Sequence, residues 1–259
     1  MSDLPTLWQI DISHFSEKAR WALDHKGVEH RRRSPVPGAH IPVALFLTRG
    51  EHKTFPVLQM DGRTIADSTA IIAAIEQRYP DPPLYPADPE QRRQALELED
   101  FFDEELGPHA RLLAFHEIGK DKESFAKLME ETAPRPLRRV PGMTVVYAQT
   151  YTRMRFGVAD EGAARLAREK IVAAFDRIER ELGDDEYLVG DTFTVADLTA
   201  ASLFNPVVLP EEGPVPSVVQ PAAGIQEFRA PLEERPGYRW VEEIFRRHRS
   251  PAGAAAAVA

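Results

Sequence analysis

The sequence predicts a small α/β domain followed by a larger all-helical one, within a chain of 259 residues. Three observations carry this. Strand-like and helix-like patterns alternate up to residue 80, a proline-rich break "RYPDPPLYPADPE" follows, and almost every periodic segment beyond it is helical. The length suffices for two modest domains, each with its own core.

In chain order, "TLWQI" reads as a strand. "FSEKARWALDHKG" reads as a helix with Phe15, Ala19, Ala22 and Leu23 on one side and Gly27 as its stop. "VEHRRRSPV" is a polar strand of the kind that blunts a sheet edge. Residues 38–53 intervene without an assigned element. "FPVLQM" and "RTIA" flank Asp61-Gly62, the dipeptide suited to a two-residue type I′ hairpin. "DSTAIIAAIEQRYP" gives a helix with Ile71, Ile72 and Ile75 facing inward.

Pro80, Pro82, Pro83, Pro86 and Pro89 forbid a helix or paired strand through the break. The predicted division is therefore 1–80, a linker at 81–88, a helical domain over 89–250 and a low-complexity tail, 251–259, expected to fray. Asp88 is placed to cap the next helix, with Pro89 at its first position and Gln91 at its third. That helix stacks Leu98, Phe101, Phe102 and Leu106 and is expected to stop at Gly107-Pro108. "EGAARLAREKIVAAFDRIEREL" is a long amphipathic helix expected to bury Leu166, Ile171, Phe175 and Ile178. In "GDTFTVADLTAASLF", Thr194 and Asp197 form a capping-box pattern, flanked by Phe193 and Leu198 as a hydrophobic staple. Residues 205–232 read as loop, and "GYRWVEEIFRRHR" as a last helix.

Composition narrows the function. Hydrophobic residues make up 43% and charged residues 28%, as in a soluble globular protein. No apolar run is long enough to span a bilayer, and the N-terminus has no signal-peptide pattern, so the expected location is cytoplasmic. A net charge of −9 argues against a nucleic-acid partner. The clusters "HRRR" (30–33), "RPLRR" (135–139) and "FRRHR" (245–249) are read as solvated surface. Histidine spacing offers no metal site. With no cysteine, the chain has neither a disulfide nor a sulfur nucleophile of its own, so any sulfur chemistry must use a bound thiol. Its Arg, Ala and Pro content suggests a GC-rich bacterial genome.

Four segments together resemble the glutathione transferase superfamily. "SHFSEKARWALDHKG" is similar to its first-helix motif and "FPVL" to its cis-proline strand. "ADSTAI" is similar to the acidic-Ser start of its third helix, and "YLVGDTFTVADLTAASLF" to its capping-box helix. The resemblance implies a thioredoxin-like N-terminal domain and an all-α C-terminal domain. It also implies glutathione or another low-molecular-weight thiol as co-substrate, a small electrophile as second substrate, and a homodimer.

Aligned on "EKARWAL", Ser13 falls where omega- and beta-type relatives carry cysteine and zeta-type relatives carry serine. Ser16 falls at the second cysteine of a CxxC. Ser13 would donate a hydrogen bond to the thiolate, or else cap the helix and do no more. Ser16 is expected to be a spectator. His14 is expected to face solvent, with a role as a base the alternative, and Phe15 to join the core. Phe55 and Pro56 would form a cis turn offering backbone groups to a peptide-like thiol; a trans edge proline is the alternative. Asp67 and Ser68 would offer an anion site at a helix N-terminus, or a cap alone. Phe102, His109, Arg111, Phe115 and Tyr147 are candidate walls of an electrophile pocket.

Departures from the pattern support a second reading, a binding or structural protein that has lost thiol activation. No tyrosine ends the first strand, and Thr54 stands where many relatives have lysine.

Overall fold

The computed structural model describes residues 4–35, 39–132, 160–182, 186–215 and 220–249. The first domain runs β1 (Thr6–Trp8), α1 (His14–His25), β2 (Arg31–Arg33), α2 (His40–Leu47), β3 (Val57–Met60), β4 (Arg63–Ala66) and α3 (Ser68–Arg78). Its sheet has the order β2-β1-β3-β4, with β2 parallel to β1 and β3 and β4 antiparallel. This is the α/β thioredoxin-like arrangement, and Asp61 (φ 50°) and Gly62 (φ 73°) form the β3–β4 turn as a type I′ hairpin requires.

Helix α2 lies in the stretch left unassigned. Its sequence, HIPVALFL, is apolar almost all round, so it has no polar face to set a period. Ala44 packs with Phe55 and Val57, while Phe46 is left 83% exposed.

Beyond the linker come α4 (Pro89–Phe101), a π-helical turn (Phe102–Leu106), α5 (Gly107–Lys120), α6 (Lys122–Thr132), α7 (Glu161–Leu182), α8 (Val195–Val208), α9 (Ala223–Arg229), a 3₁₀ turn (Ala230–Leu232) and α10 (Pro236–His248). Three expectations need correction here. Gly107-Pro108 does not stop the helix, because the π turn has already broken the regular ladder and Pro108 sits in the first turn of α5, where no N–H is required. Residues 205–232 are not all loop: α8 runs through Pro206 to Val208, and α9 is too short and its surroundings too proline-rich to show a period. Leu166 is exposed, because α7 packs through the small residues Ala164, Ala167 and Ala174 together with Ile171, Phe175 and Ile178.

The caps form as their residue types dictate. Asp88 accepts from the amides of Glu90 and Gln91 at 3.0 and 2.9 Å. Asp197 accepts from the amides of Leu188 and Thr194, each at 2.8 Å, and from the Thr194 hydroxyl at 2.9 Å; that hydroxyl in turn accepts from the Asp197 amide, which completes the capping box. Among the described residues, the larger of two apolar clusters joins the domains, running from Leu7, Leu23 and Ile71 to Leu98, Phe175, Phe204 and Phe245.

An ionic seam crosses the same junction. The buried Lys18 ammonium of α1 lies 2.8 Å from Glu99 of α4 and 2.9 Å from Asp103 in the π turn, and donates to the Thr69 hydroxyl of α3 at 2.9 Å. Burial raises the Glu99 pKa against the pull of Lys18. A second cluster ties the end of the described chain back onto α1. Buried Arg249 pairs with Glu17 and, at 2.8 Å, with Asp24, and Arg32 reaches Asp24 at 2.8 Å. Two of the basic clusters are therefore not simply solvated surface; "RPLRR" and the tail lie outside the described residues.

Candidate active site

Sheet register brings the candidate thiol-handling residues to one end of the molecule. Val57 pairs with Trp8 on one side and Ala66 on the other. Beyond that rung, β1 runs on to the turn before α1, β3 is preceded by Phe55-Pro56, and β4 leads into Asp67-Ser68. Ser13, Pro56 and Ser68, far apart in sequence, thus share one sheet end. The Phe55–Pro56 bond is cis.

Ser13 is the N-cap of α1 and its Oγ accepts from the Ser16 amide at 3.3 Å. Capping uses one lone pair of the hydroxyl and leaves its proton to donate elsewhere, so the two readings of Ser13 are compatible. Ser16 is no spectator. It is buried, and its Oγ accepts from the Ile10 amide at 3.2 Å while the Ser13 amide donates to the Ile10 carbonyl at 3.0 Å. Together these bonds close the turn.

His14 is buried rather than solvated. Its Nε2 lies 2.9 Å from the carbonyl of Gly107 in the second domain. Burial, then the nearby Arg111 charge, lowers its pKa to about 3, too low for a base at neutral pH. The Phe15 ring packs against the core edge beneath the Arg111 guanidinium, 5.5 Å from the ring centre.

Asp67 holds a φ of 78°, a strained conformation for a residue with a side chain, and its carboxylate accepts from the amides of Thr69 and Ala70 at 2.9 and 3.2 Å. Asp67 itself therefore takes two of the helix-end amides expected to await an anion. The Ser68 amide and hydroxyl remain, at a residue 2% exposed on the floor of the sheet end.

The proposed pocket walls divide. Phe102 is wholly buried core, one turn on from buried Leu98, and forms no wall. His109, Arg111 and Phe115 are half-buried along α5, and His109 Nδ1 is bonded to the Glu105 carbonyl at 2.9 Å. Tyr147 lies outside the described residues. Among the described residues no group of acidic and histidine side chains could hold a metal ion, and no helix is long and apolar enough to cross a membrane.

Comparison with known proteins agrees with this fold. Residues 7–83 match the family model "Glutathione S-transferase, N-terminal domain" and residues 146–216 match "Glutathione S-transferase, C-terminal domain". The chain belongs to the glutathione transferase superfamily.

Within that superfamily it is 26% identical to Glutathione S-transferase U22 of Arabidopsis thaliana, over 79% of this chain and 74% of that one. It is 28% identical to the maleylacetoacetate isomerase of Pseudomonas aeruginosa, over 61% of this chain and 86% of that one. Several other relatives are matched over little more than half their length. The fold is shared with a holo maleyl pyruvate isomerase described as a zeta-class bacterial glutathione transferase. The TM-score is 0.61 at 23% identity, covering 98% of this chain and all of that one.

Sequence reasoning missed the contacts between α1 and the second domain: Gly107, which receives His14, and Glu99 and Asp103, which receive Lys18. One signal was available. Lys18 lies one turn from Phe15 on the buried side of α1, and Glu99 lies between Leu98 and Phe102, where a charge requires a partner.

Proposed function

We propose that the chain binds glutathione, or a related low-molecular-weight thiol, at the sheet end. The bound thiol is either added to a small electrophile or used in a thiol-dependent isomerisation. The observation that carries this is the convergence of Ser13, cis Phe55-Pro56 and Asp67-Ser68 at one sheet end.

A free thiol ionises near pH ~8.5, so it must be activated at neutral pH. Ser13 donates its hydroxyl proton as a hydrogen bond to the sulfur, and the N-terminus of α1 adds its dipole; together they favour the thiolate. Ser13 keeps its proton throughout. His14, neutral and bonded to Gly107, does not take the thiol proton, which passes to solvent water. The Phe55 backbone would pair with the peptide-like part of the thiol and Ser68 with its carboxylate. Arg111 and Phe115 on α5 would face the electrophile. Transferase and isomerase relatives both support this class of chemistry. We place the protein in the bacterial cytoplasm as a homodimer, with its domain boundary in the 81–88 linker.

Calorimetric titration with glutathione, and separately with mycothiol, tests the reading. Wild type should bind one of them, and Ser68→Ala should weaken that binding by about tenfold through loss of a hydrogen bond to a charged group. Failure of both thiols to bind would overturn it in favour of a fold retained without thiol chemistry.

A further inference from the structure

We infer that His14 and Gly107 are positioning residues that fix Ser13 in register with the second domain. The inference rests on the thiol-activating reading of Ser13 given above.

Two residues that follow Ser13 in the same turn rest on a single glycine 93 positions away. His14 reaches it through Nε2, 2.9 Å from the Gly107 carbonyl. A carbonyl only accepts, so Nε2 carries the proton and donates, which fixes the tautomer of the ring. Phe15 reaches the same glycine by shape: a Cβ on Gly107 would stand 2.5 Å from Phe15 Cζ and 3.1 Å from Cε1. Any side chain there would displace the ring, and the ring is hemmed in by His14 at 4.6 Å and by Arg111 above it.

Gly107 directly follows the π-helical turn and precedes Pro108, so the irregular stretch ends at the residue that receives the Ser13 turn. π turns within helices are frequent at functional sites. On its other side the turn is held by Ser16 and Ile10. Ser13 therefore sits between a clasp within its own domain and a clasp on the other domain. The groups proposed to bind the rest of the thiol belong to other segments, Phe55-Pro56 just before β3 and Asp67-Ser68 at the start of α3. Loosening it should misalign the Ser13 hydroxyl with the sulfur while sparing thiol affinity.

The test compares His14→Gln, His14→Met and Gly107→Ala with wild type, each first checked for folding by circular dichroism. Gln retains an N–H donor near the place of Nε2; Met fills the space without a donor. Three quantities are read: glutathione affinity by calorimetry, ionisation of the bound thiol by its ultraviolet thiolate absorbance against pH, and kcat and KM with chlorodinitrobenzene as the probe electrophile. His14→Met and Gly107→Ala should keep affinity within about twofold, shift bound-thiol ionisation to higher pH and lower kcat by about tenfold or more. His14→Gln should stay close to wild type.

Wild-type ionisation and kcat in His14→Met would overturn the inference, as would equal damage in His14→Gln. If His14→Met does not fold, Gly107→Ala decides, and wild-type thiol ionisation in that variant overturns the inference. No thiolate signal in wild type itself would instead overturn the thiol-activating function, and this inference with it.

Discussion

The sheet end and the buried interdomain seam are built from opposite materials. At the sheet end the candidate groups are backbone and hydroxyl: the cis Phe55–Pro56 turn, the Ser13 cap and the Ser68 start of α3. At the seam they are full charges removed from water: Lys18 between Glu99 and Asp103, and Glu17 between Arg20 and Arg249. Neutral donors can stabilise a transient thiolate at little cost to folding. Buried charges contribute little net stability while paired, yet removing one partner is expensive. The contrast implies that sheet-end substitutions change ligand chemistry and seam substitutions change stability.

The largest expected break is at the seam. Lys18→Met leaves Glu99 and Asp103 facing one another without a cation and should destabilise the fold by about 3–5 kcal/mol in denaturant unfolding. Unfolding within about 1 kcal/mol of wild type would show that the carboxylates protonate or reach water at little cost.

A pH experiment sharpens the comparison. His14 has a usual pKa of 6.5 but about 3 when folded, so between those values the unfolded chain binds more protons than the folded one. Its contribution to stability is present in full above pH 6.5 and is lost as pH falls toward 3. His25, lowered to about 4 by burial and by its His248 neighbour, acts in the same direction. His14→Gln cannot take up the proton, so melting temperature against pH should be shallower in that window without becoming flat. An unchanged slope would place the His14 ring in water.

Thr69 stands where the two regions meet, since its hydroxyl accepts from Lys18 and donates to Asp103 at 2.7 Å while its amide caps onto Asp67. Thr69→Val should cost about 1–2 kcal/mol, the range for a hydrogen bond to charged partners. Ser68→Ala should have the smallest effect on stability, below about 1 kcal/mol, because Asp67 rather than Ser68 supplies the cap of α3. A larger loss would make Ser68 a structural residue before a binding one.

Only the sheet-end half of this division was legible in the sequence, along with the local caps and turns. Thr194-Asp197, Asp61-Gly62 and Asp88-Pro89 are local signals whose geometry depends on their own neighbours, and the structure forms each of them. The candidate sheet-end residues could be named for the same reason: a proline after an apolar residue, or an acidic-Ser pair at a helix start, is a short-range pattern. The seam was not legible, because Lys18 meets Glu99 only once α1 has packed on α4. His14 was expected in solvent because its partner carbonyl lies 93 residues away. Helix α2 escaped for another reason, an apolar surface with no polar face to mark its period. Local chemistry could be read from the chain, while contacts made by folding could not.

In the proposed mechanism Ser13 acts on a bound thiol as a donor and not merely as a cap. The most direct test is the ultraviolet titration of glutathione bound to wild type and to Ser13→Ala, with affinity measured in parallel. Similar affinity is expected for both, with thiolate forming at a pH lower by about one unit in wild type, the worth of about 1.4 kcal/mol of hydrogen bonding. Identical thiol ionisation in the two proteins would contradict it and leave Ser13 as the cap of α1.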